Sequence, residues 1–178
     1  VMFYHKLFSP EKIVAVDIDN RPVPPLEAYI SANRLDRSIR AYYGVDQSDP
    51  ETMGKILEKE TDGQFFDLVV DDASHLLEET RASFNMLLPH VAPGGYYIIE
   101  DWGWAHWEGE HWQTDGGPWP DEPPLSNLVF ELTMLLASRP FVVESVFLLP
   151  AYAVIKRGTE ALDRRPGQFD ISSSCLDR

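Results

Sequence analysis

Two short elements hold most of the chemical potential of this chain: Asp72-Ala73-Ser74-His75 and Glu100-Asp101. Each follows an apolar run, residues 65–70 in one case and 96–99 in the other. If these runs are strands adjacent in one sheet, their ends lie about 5 Å apart and three carboxylates crowd together. Carboxylates so placed raise one another's pKa values, and a divalent cation removes the conflict. All-oxygen ligands select a hard ion, Mg2+, Mn2+ or Ca2+, rather than zinc. His75, one short turn beyond Asp72, is then placed to act as a base on something the metal holds. Each residue has a plainer reading as a helix or loop cap, with His75 opening a helix; the four together favour the metal.

Two further groups of residues stand out. Asp17, ending the run Ile13-Val14-Ala15-Val16, suits the paired hydroxyls of a ribose, as the strand-end acid of dinucleotide folds does. Asp17-Ile18-Asp19 also reads as the D-x-D metal motif of a sugar-nucleotide transferase, or as an ordinary strand-end turn. The stretch 102–124 carries all five tryptophans of the chain, Trp102, Trp104, Trp107, Trp112 and Trp119, with His106 and His111. Indoles beside an acidic site can stack on the C–H faces of a sugar. They serve equally well as an oligomer contact, or fold onto the loop's own core.

The elements that must position these groups follow from periodicity and punctuation. Residues 13–16, 39–43, 65–70 and 96–99 are apolar enough for strands buried on both faces, as in a parallel sheet. Helices are expected over 26–33, from Asp49-Pro50 to about Thr61 with Asp as N-cap and Pro at the first position, from Leu76 to Val91, and over 125–138. Pro93-Gly94-Gly95 is expected to turn the chain into the fourth strand. Residues 141–149 and 151–155 form two strands around Pro150, a terminal hairpin. Residues 158–178 read as a polar C-terminal tail. Alternating strands and helices with acids at the strand ends predict an α/β open sheet that binds ligands outside the carboxyl ends of its strands.

Composition narrows the function. Of 178 residues, 15 are Lys or Arg and 29 are Asp or Glu, a net charge of −14. No basic stripe is available to neutralise phosphates, so neither nucleic acid nor an anionic membrane surface is an expected partner. No apolar run reaches the roughly 20 residues a bilayer requires. One cysteine, Cys175, forms no internal disulfide and fits a reducing compartment, here the cytoplasm. No G-x-S-x-G elbow, Walker lysine loop, C-x-x-C or H-E-x-x-H is present.

The segment Phe66-Asp67-Leu68-Val69-Val70-Asp71-Asp72-Ala73-Ser74-His75, followed by Pro89-His90-Val91-Ala92-Pro93-Gly94-Gly95-Tyr96-Tyr97-Ile98-Ile99-Glu100-Asp101, resembles the metal-dependent O-methyltransferases of macrolide tailoring. These are the macrocin and mycinamicin sugar O-methyltransferases, with the cephalosporin-hydroxylase-like proteins as relatives. Val16-Asp17-Ile18-Asp19 and Asp46-Gln47-Ser48-Asp49 are similar to further strand ends of that family, so the likeness covers roughly residues 10–110. The resemblance implies a Rossmann-like class I methyltransferase fold using S-adenosylmethionine, mostly parallel with a C-terminal antiparallel hairpin. It implies that Asp17 holds the ribose, that Asp46 and Gln47 flank the adenine, and that Asp72 borders the cofactor. It also implies that Asp72, Glu100 and Asp101 ligate Mg2+ (or Mn2+) and that His75 is the general base. Trp102, Trp104 and Trp107 are expected at the acceptor from their stacking chemistry beside this acidic site, not from the resemblance. The family's first strand ends in a glycine-rich loop, and Val1-Met2-Phe3-Tyr4-His5 resembles the helix that follows that loop. Residues 1–157 are therefore expected to form a methyltransferase domain that is N-terminally incomplete.

The expected activity is methylation of a hydroxyl on a glycosylated or polyhydroxylated small molecule in natural-product tailoring, such as antibiotic biosynthesis, by a chain that can form a homo-oligomer. The competing readings are a metal-dependent glycosyltransferase using Asp17 and Asp19, and a non-catalytic assembly domain docking through its tryptophans.

Overall fold

The computed structural model describes residues 1–108, 112–113 and 117–175. The chain forms two compact units, Val1–Glu60 and Thr61–Arg178.

In the first unit, α1 (Met2–Phe8) ends at Ser9, which takes a left-handed φ of 47°. β1 (Ile13–Asp17), α2 (Pro24–Asn33), β2 (Ile39–Tyr43) and α3 (Pro50–Thr61) follow. Pro24 and Pro25 start α2, where a missing N–H costs nothing. Asp49 starts α3: its Oδ1 accepts from the Glu51 N–H at 3.0 Å, with Pro50 at the first helical position. β1 and β2 run parallel, Ile13 opposite Ile39 through to Asp17 opposite Tyr43. Leu26, Ile30 and Ile39 form the buried centre, against which Val1, Met2, Ile13 and Tyr29 pack. Each such apolar side chain, fully buried, contributes about 1.5–3 kcal/mol.

The second unit contains β3 (Phe66–Asp71), α4 (Leu77–Leu87), β4 (Val91–Glu100), α5 (Ser126–Ser138), β5 (Val143–Leu148), β6 (Tyr152–Arg157) and α6 (Ile171–Ser174). Its sheet has the order β3-β4-β6-β5. β3 and β4 are parallel, β6 is antiparallel to β4, and β5 and β6 form the expected antiparallel hairpin. Leu128, Leu132 and Leu135 of α5 recur at i, i+4 and i+7 and are fully buried with Phe84, Tyr97, Ile99 and Ile155. Arg81 of α4 donates to Glu131 of α5 at 2.5 and 3.1 Å and to Glu78 at 2.6 Å, tying the two helices across their rim.

The strands hydrogen-bond as β1-β2 in the first unit and β3-β4-β6-β5 in the second. Two expectations are corrected. The turn at Pro93-Gly94-Gly95 lies inside β4: Phe66 pairs with Val91 but Leu68 with Tyr96, so the extra residues bulge out of the ladder. A Cβ on Gly95 would stand 2.8 Å from the Asp67 carbonyl oxygen, so only glycine fits this bulge. Finally, the segment from residue 158 is not a detached polar tail. Phe169 and Ile171 lie in the core, and Asp170 caps α6 through the Ser172 and Ser173 N–H groups. Asn85 of α4 clasps this turn, donating to Asp170 at 3.0 Å and accepting from the Ile171 N–H at 2.9 Å. Two apolar anchors and a cap suffice to dock a segment whose average composition is polar. No helix among the described residues is long and apolar enough to cross a membrane.

Candidate active site

β3 and β4 end side by side. Asp71 stands opposite Ile99, so Asp72 and Glu100 follow on the next rung of the ladder. Successive strand residues face opposite sides, and the two aspartates have different fates. Asp71 is buried at 6% exposure and turns inward, where the Tyr97 hydroxyl donates to its Oδ2 at 2.8 Å and lies 3.1 Å from the Ser83 hydroxyl. Burial pushes the Asp71 carboxyl up, against these hydroxyl contacts, and pushes the Tyr97 phenol well above its usual range. The Asp72 side chain is 61% exposed and pairs with His75, whose Nε2 stands 3.8 Å from its Oδ1.

His75 takes a φ of 58° and Asp101 a φ of 52°. The left-handed region costs a non-glycine residue about 1–2 kcal/mol, and here it is occupied at the turns that follow both strands. The turn at His75 brings its Nδ1 to 3.3 Å from the Glu100 carbonyl oxygen. A carbonyl only accepts, so Nδ1 carries a proton in this contact, which in the neutral ring places the lone pair on Nε2, on the side of Asp72. At Asp101 the chain leaves β4: its N–H donates to the Ala151 carbonyl at 2.6 Å and its own carbonyl accepts from Trp104 at 3.1 Å.

The structure thus brings His75, Asp72 and the end of β4 together. It does not assemble the expected ligand trio. Among the described residues no group of three His, Cys, Asp or Glu side chains is gathered closely enough to hold a metal ion. The reason is local: Asp72 extends into solvent beside His75, and the left-handed turn takes Asp101 out of the strand alternation that Glu100 still obeys.

The tryptophans are also redistributed. Trp104 is 2% exposed and belongs to the core, its ring 4.9 Å from Trp119 and 6.3 Å from Trp112, so it is not an open stacking platform. Trp102 packs on the same core and its Nε1 donates to the Leu149 carbonyl at 2.8 Å. Of the three indoles expected at the acceptor, Trp107 is the exposed one, at 36%. His106 lies 2.8 Å from the Ser126 hydroxyl at the start of α5, and His111 lies outside the described residues.

At the ends of β1 and β2 in the first unit, the Val45 N–H donates to the Asp17 carbonyl at 2.9 Å, which draws the two strand-end loops together. Asp17 and Asp46 are exposed there, whereas Gln47 is buried at 8% exposure. A cleft lined by Val16, Asp17, Leu26 and Tyr43 opens beside them. Asp19 is engaged by a bidentate pair with Arg21, at 2.6 to 3.1 Å, and this hydrogen bonding holds its carboxyl below the usual range. A carboxylate so matched is a poor member of a D-x-D metal pair.

Asp71 and Tyr97 do not emerge as site components from residue types alone, and Trp104, expected at the acceptor, instead donates its buried indole N–H to the His75 carbonyl. Strand alternation carries the signal for Asp71: of two adjacent aspartates ending a strand, one must face the helix layer. Tyr97, two residues from Ile99 on the same face of β4, is the group able to meet it.

No family model matches the chain. Over 72 residues it is 43% identical to demethylmacrocin O-methyltransferase of Streptomyces fradiae, covering 40% of this chain and 18% of that protein. Over 77 residues it is 44% identical to mycinamicin VI 2''-O-methyltransferase of Micromonospora griseorubida, covering 43% of this chain and 18% of that protein. The matched segments therefore span less than a fifth of either curated relative. Among solved structures it is similar to the MycE methyltransferase of the mycinamycin biosynthetic pathway, in complex with Mg, SAH and mycinamycin VI. That likeness has a TM-score of 0.57 and 22% identity, and covers 88% of this chain and 48% of that one. The chain thus has a Rossmann-like α/β fold similar to that of the MycE methyltransferase, and over 72 to 77 residues its sequence is similar to the macrocin and mycinamicin sugar O-methyltransferases.

Proposed function

We propose that the chain carries the acceptor-activating part of an S-adenosylmethionine- and Mg2+-dependent O-methyltransferase acting on a hydroxyl of a glycosylated small molecule. The observation that carries this reading is His75: its Nδ1 faces a carbonyl, and its Nε2 is turned toward Asp72 at the shared end of two parallel strands. In the reaction the acceptor oxygen forms its bond to the methyl carbon as the sulfur–methyl bond breaks. The hydroxyl proton passes to His75 Nε2, and S-adenosylhomocysteine leaves. Asp72, 3.8 Å from that nitrogen, stabilises the imidazolium that results. The Glu100 carbonyl holds the ring in the tautomer that can accept.

The donor set fits a magnesium ion in kind. Asp72, Glu100 and Asp101 offer hard carboxylate oxygens on neighbouring strand ends, and both the exposed Asp72 side chain and the turn at Asp101 would have to adjust for the three to share one ion. When bound there, Mg2+ supplies Lewis acidity that makes a sugar hydroxyl a better proton donor. Asp17, beside its cleft, is the proposed ribose acceptor, with Asp46 and Gln47 toward the adenine. Trp107 is the one indole retained as an acceptor contact.

Calorimetry of the full chain with S-adenosylhomocysteine, with Mg2+ alone and with a uridine diphosphate sugar tests the reading. Binding of the nucleoside thioether and the metal is expected. Binding of the sugar nucleotide instead would move the protein to glycosyl transfer.

A further inference from the structure

One residue touches both left-handed turns of the candidate site. The indole Nε1 of Trp104 donates to the His75 carbonyl at 2.8 Å. The backbone N–H of Trp104 donates to the Asp101 carbonyl at 3.1 Å. The ring is 2% exposed and wedged edge-on against Trp119 at 4.9 Å, while Trp112 and Trp119 stack at 5.2 Å behind it. The loop that carries it is fastened on both sides, by Trp102 to the Leu149 carbonyl and by His106 to Ser126 of α5, each at 2.8 Å. We propose that Trp104 is a positioning residue, a buried clamp that holds His75 and Asp101 in their left-handed conformations. It thereby fixes where the imidazole and the β4-end carboxylate stand.

The physical argument is one of over-determination. A non-glycine residue remains in the left-handed region only where its surroundings leave it no cheaper choice. His75 sits in a short connection between β3 and α4, which by itself would relax. Its carbonyl is caught by a donor on a rigid aromatic ring that cannot move without disturbing the Trp112–Trp119 stack. A flexible amide or hydroxyl in that place would follow the carbonyl instead of fixing it. The indole supplies both the donor and the immobility.

The substitution that removes the donor is Trp104→Phe, which keeps an aromatic ring in the cluster while losing the indole N–H and the part of the ring that carries it. In the full chain, the expected result is a cooperatively folded protein whose His75 Cα chemical shift leaves the left-handed range. Asp101, held by a backbone bond that the substitution spares, should move less. The catalytic consequence rests on the proposed methyl transfer: kcat falls about 10- to 100-fold, the usual cost of misplacing a reacting group by a fraction of an ångström to an ångström, with S-adenosylhomocysteine affinity unchanged. A folded Trp104→Phe protein with His75 and Asp101 shifts unmoved overturns the clamp. If the variant does not fold, the unsubstituted chain decides: exchange of the Trp104 indole proton should be at least about 100-fold slower than that of exposed Trp107, and equal rates overturn the clamp. If His75 moves as expected but the unsubstituted chain transfers no methyl group, the clamp stands and the methyltransferase reading falls.

Discussion

The carboxylates that end the strands of the two units are chemically alike and are used in opposite ways. In the first unit each one closes its own turn. Asp17 accepts from the Asp19 N–H, Asp19 from Arg21, Asp46 from Ser48 and Asp49 from Glu51, all two residues on and all between 2.8 and 3.0 Å. These are turns in which a short acid side chain mimics the backbone, and they need no ligand to explain them. At the ends of β3 and β4 the turns are held instead by left-handed residues and by Trp104, and Asp72 is presented to His75. An acid at a strand end therefore says little by itself. What matters is how much of the carboxylate its own turn takes up: at Asp17 the Asp19 N–H engages Oδ1.

The largest expected effect tests that distinction directly. His75→Ala should keep the affinity for S-adenosylhomocysteine and Mg2+ and lose about 10²–10⁴-fold in turnover, the range for removal of a general base. Loss of metal affinity instead would make His75 a ligand, and near-normal turnover would remove its catalytic role.

A second contrast concerns the two buried acids. Glu60 of the first unit has a side chain only 4% exposed and is ringed by Lys12 at 2.6 Å, Arg40 at 3.5 Å, Lys59 at 3.9 Å and the Tyr42 hydroxyl. Burial alone would raise its pKa, but the Lys12 and Tyr42 hydrogen bonds and the Lys12 and Arg40 charges outweigh it and hold the carboxyl at about 2. Because the folded pKa lies below the usual 4.5, this stabilisation is complete above pH 4.5 and is lost as the pH falls toward 2. Glu60→Gln should cost about 1–3 kcal/mol at neutral pH and flatten the acid limb of the urea midpoint between those values. An unchanged acid limb would mean that the cations are not what holds Glu60.

Asp17→Ala is expected to weaken S-adenosylhomocysteine binding by about 1–3 kcal/mol, the loss of a charged hydrogen-bond acceptor. Unaltered affinity would show that the turn to Asp19 is the whole of its role.

Much of this arrangement is legible in the residues. The runs ending at Asp17, Tyr43, Val70 and Ile99 announce strands through their short apolar stretches of β-branched and aromatic residues, although the strands are half-buried rather than covered on both faces. Asp49-Pro50 announces α3 because cap and first position are chemically distinctive. Three features are hidden for physical reasons. The bulge at Gly94-Gly95 carries the composition of a turn, and only the pairing of Phe66 with Val91 shows that a strand passes through it. The docking of residues 169–171 depends on two apolar side chains within a polar stretch. The part played by Trp104 depends on one N–H meeting one carbonyl 29 positions away, which no local pattern encodes.

The smallest expected effect has the opposite sign to that at Glu60. Asp71 is buried without a cationic partner in hydrogen-bond contact: the Tyr97 and Ser83 hydroxyls, the His75 charge and the Ala73 N–H favour its ionised form, and burial outweighs them. Burial raises its folded pKa above the usual 3.8. A group raised in the fold contributes stability that is fully present below the unfolded value and disappears as the pH rises through the folded one. The ionised carboxylate is therefore a liability of the second unit at neutral pH, where Glu60 is an asset of the first. Asp71→Asn keeps an oxygen to accept from Tyr97 and cannot ionise. It should leave the urea midpoint nearly unchanged at pH 3 and raise stability by about 0.5–1 kcal/mol at pH 7, so the two curves diverge with rising pH. If the variant is instead less stable at pH 7, the buried carboxylate is held ionised by its neighbours. The two units would then treat their buried acids alike.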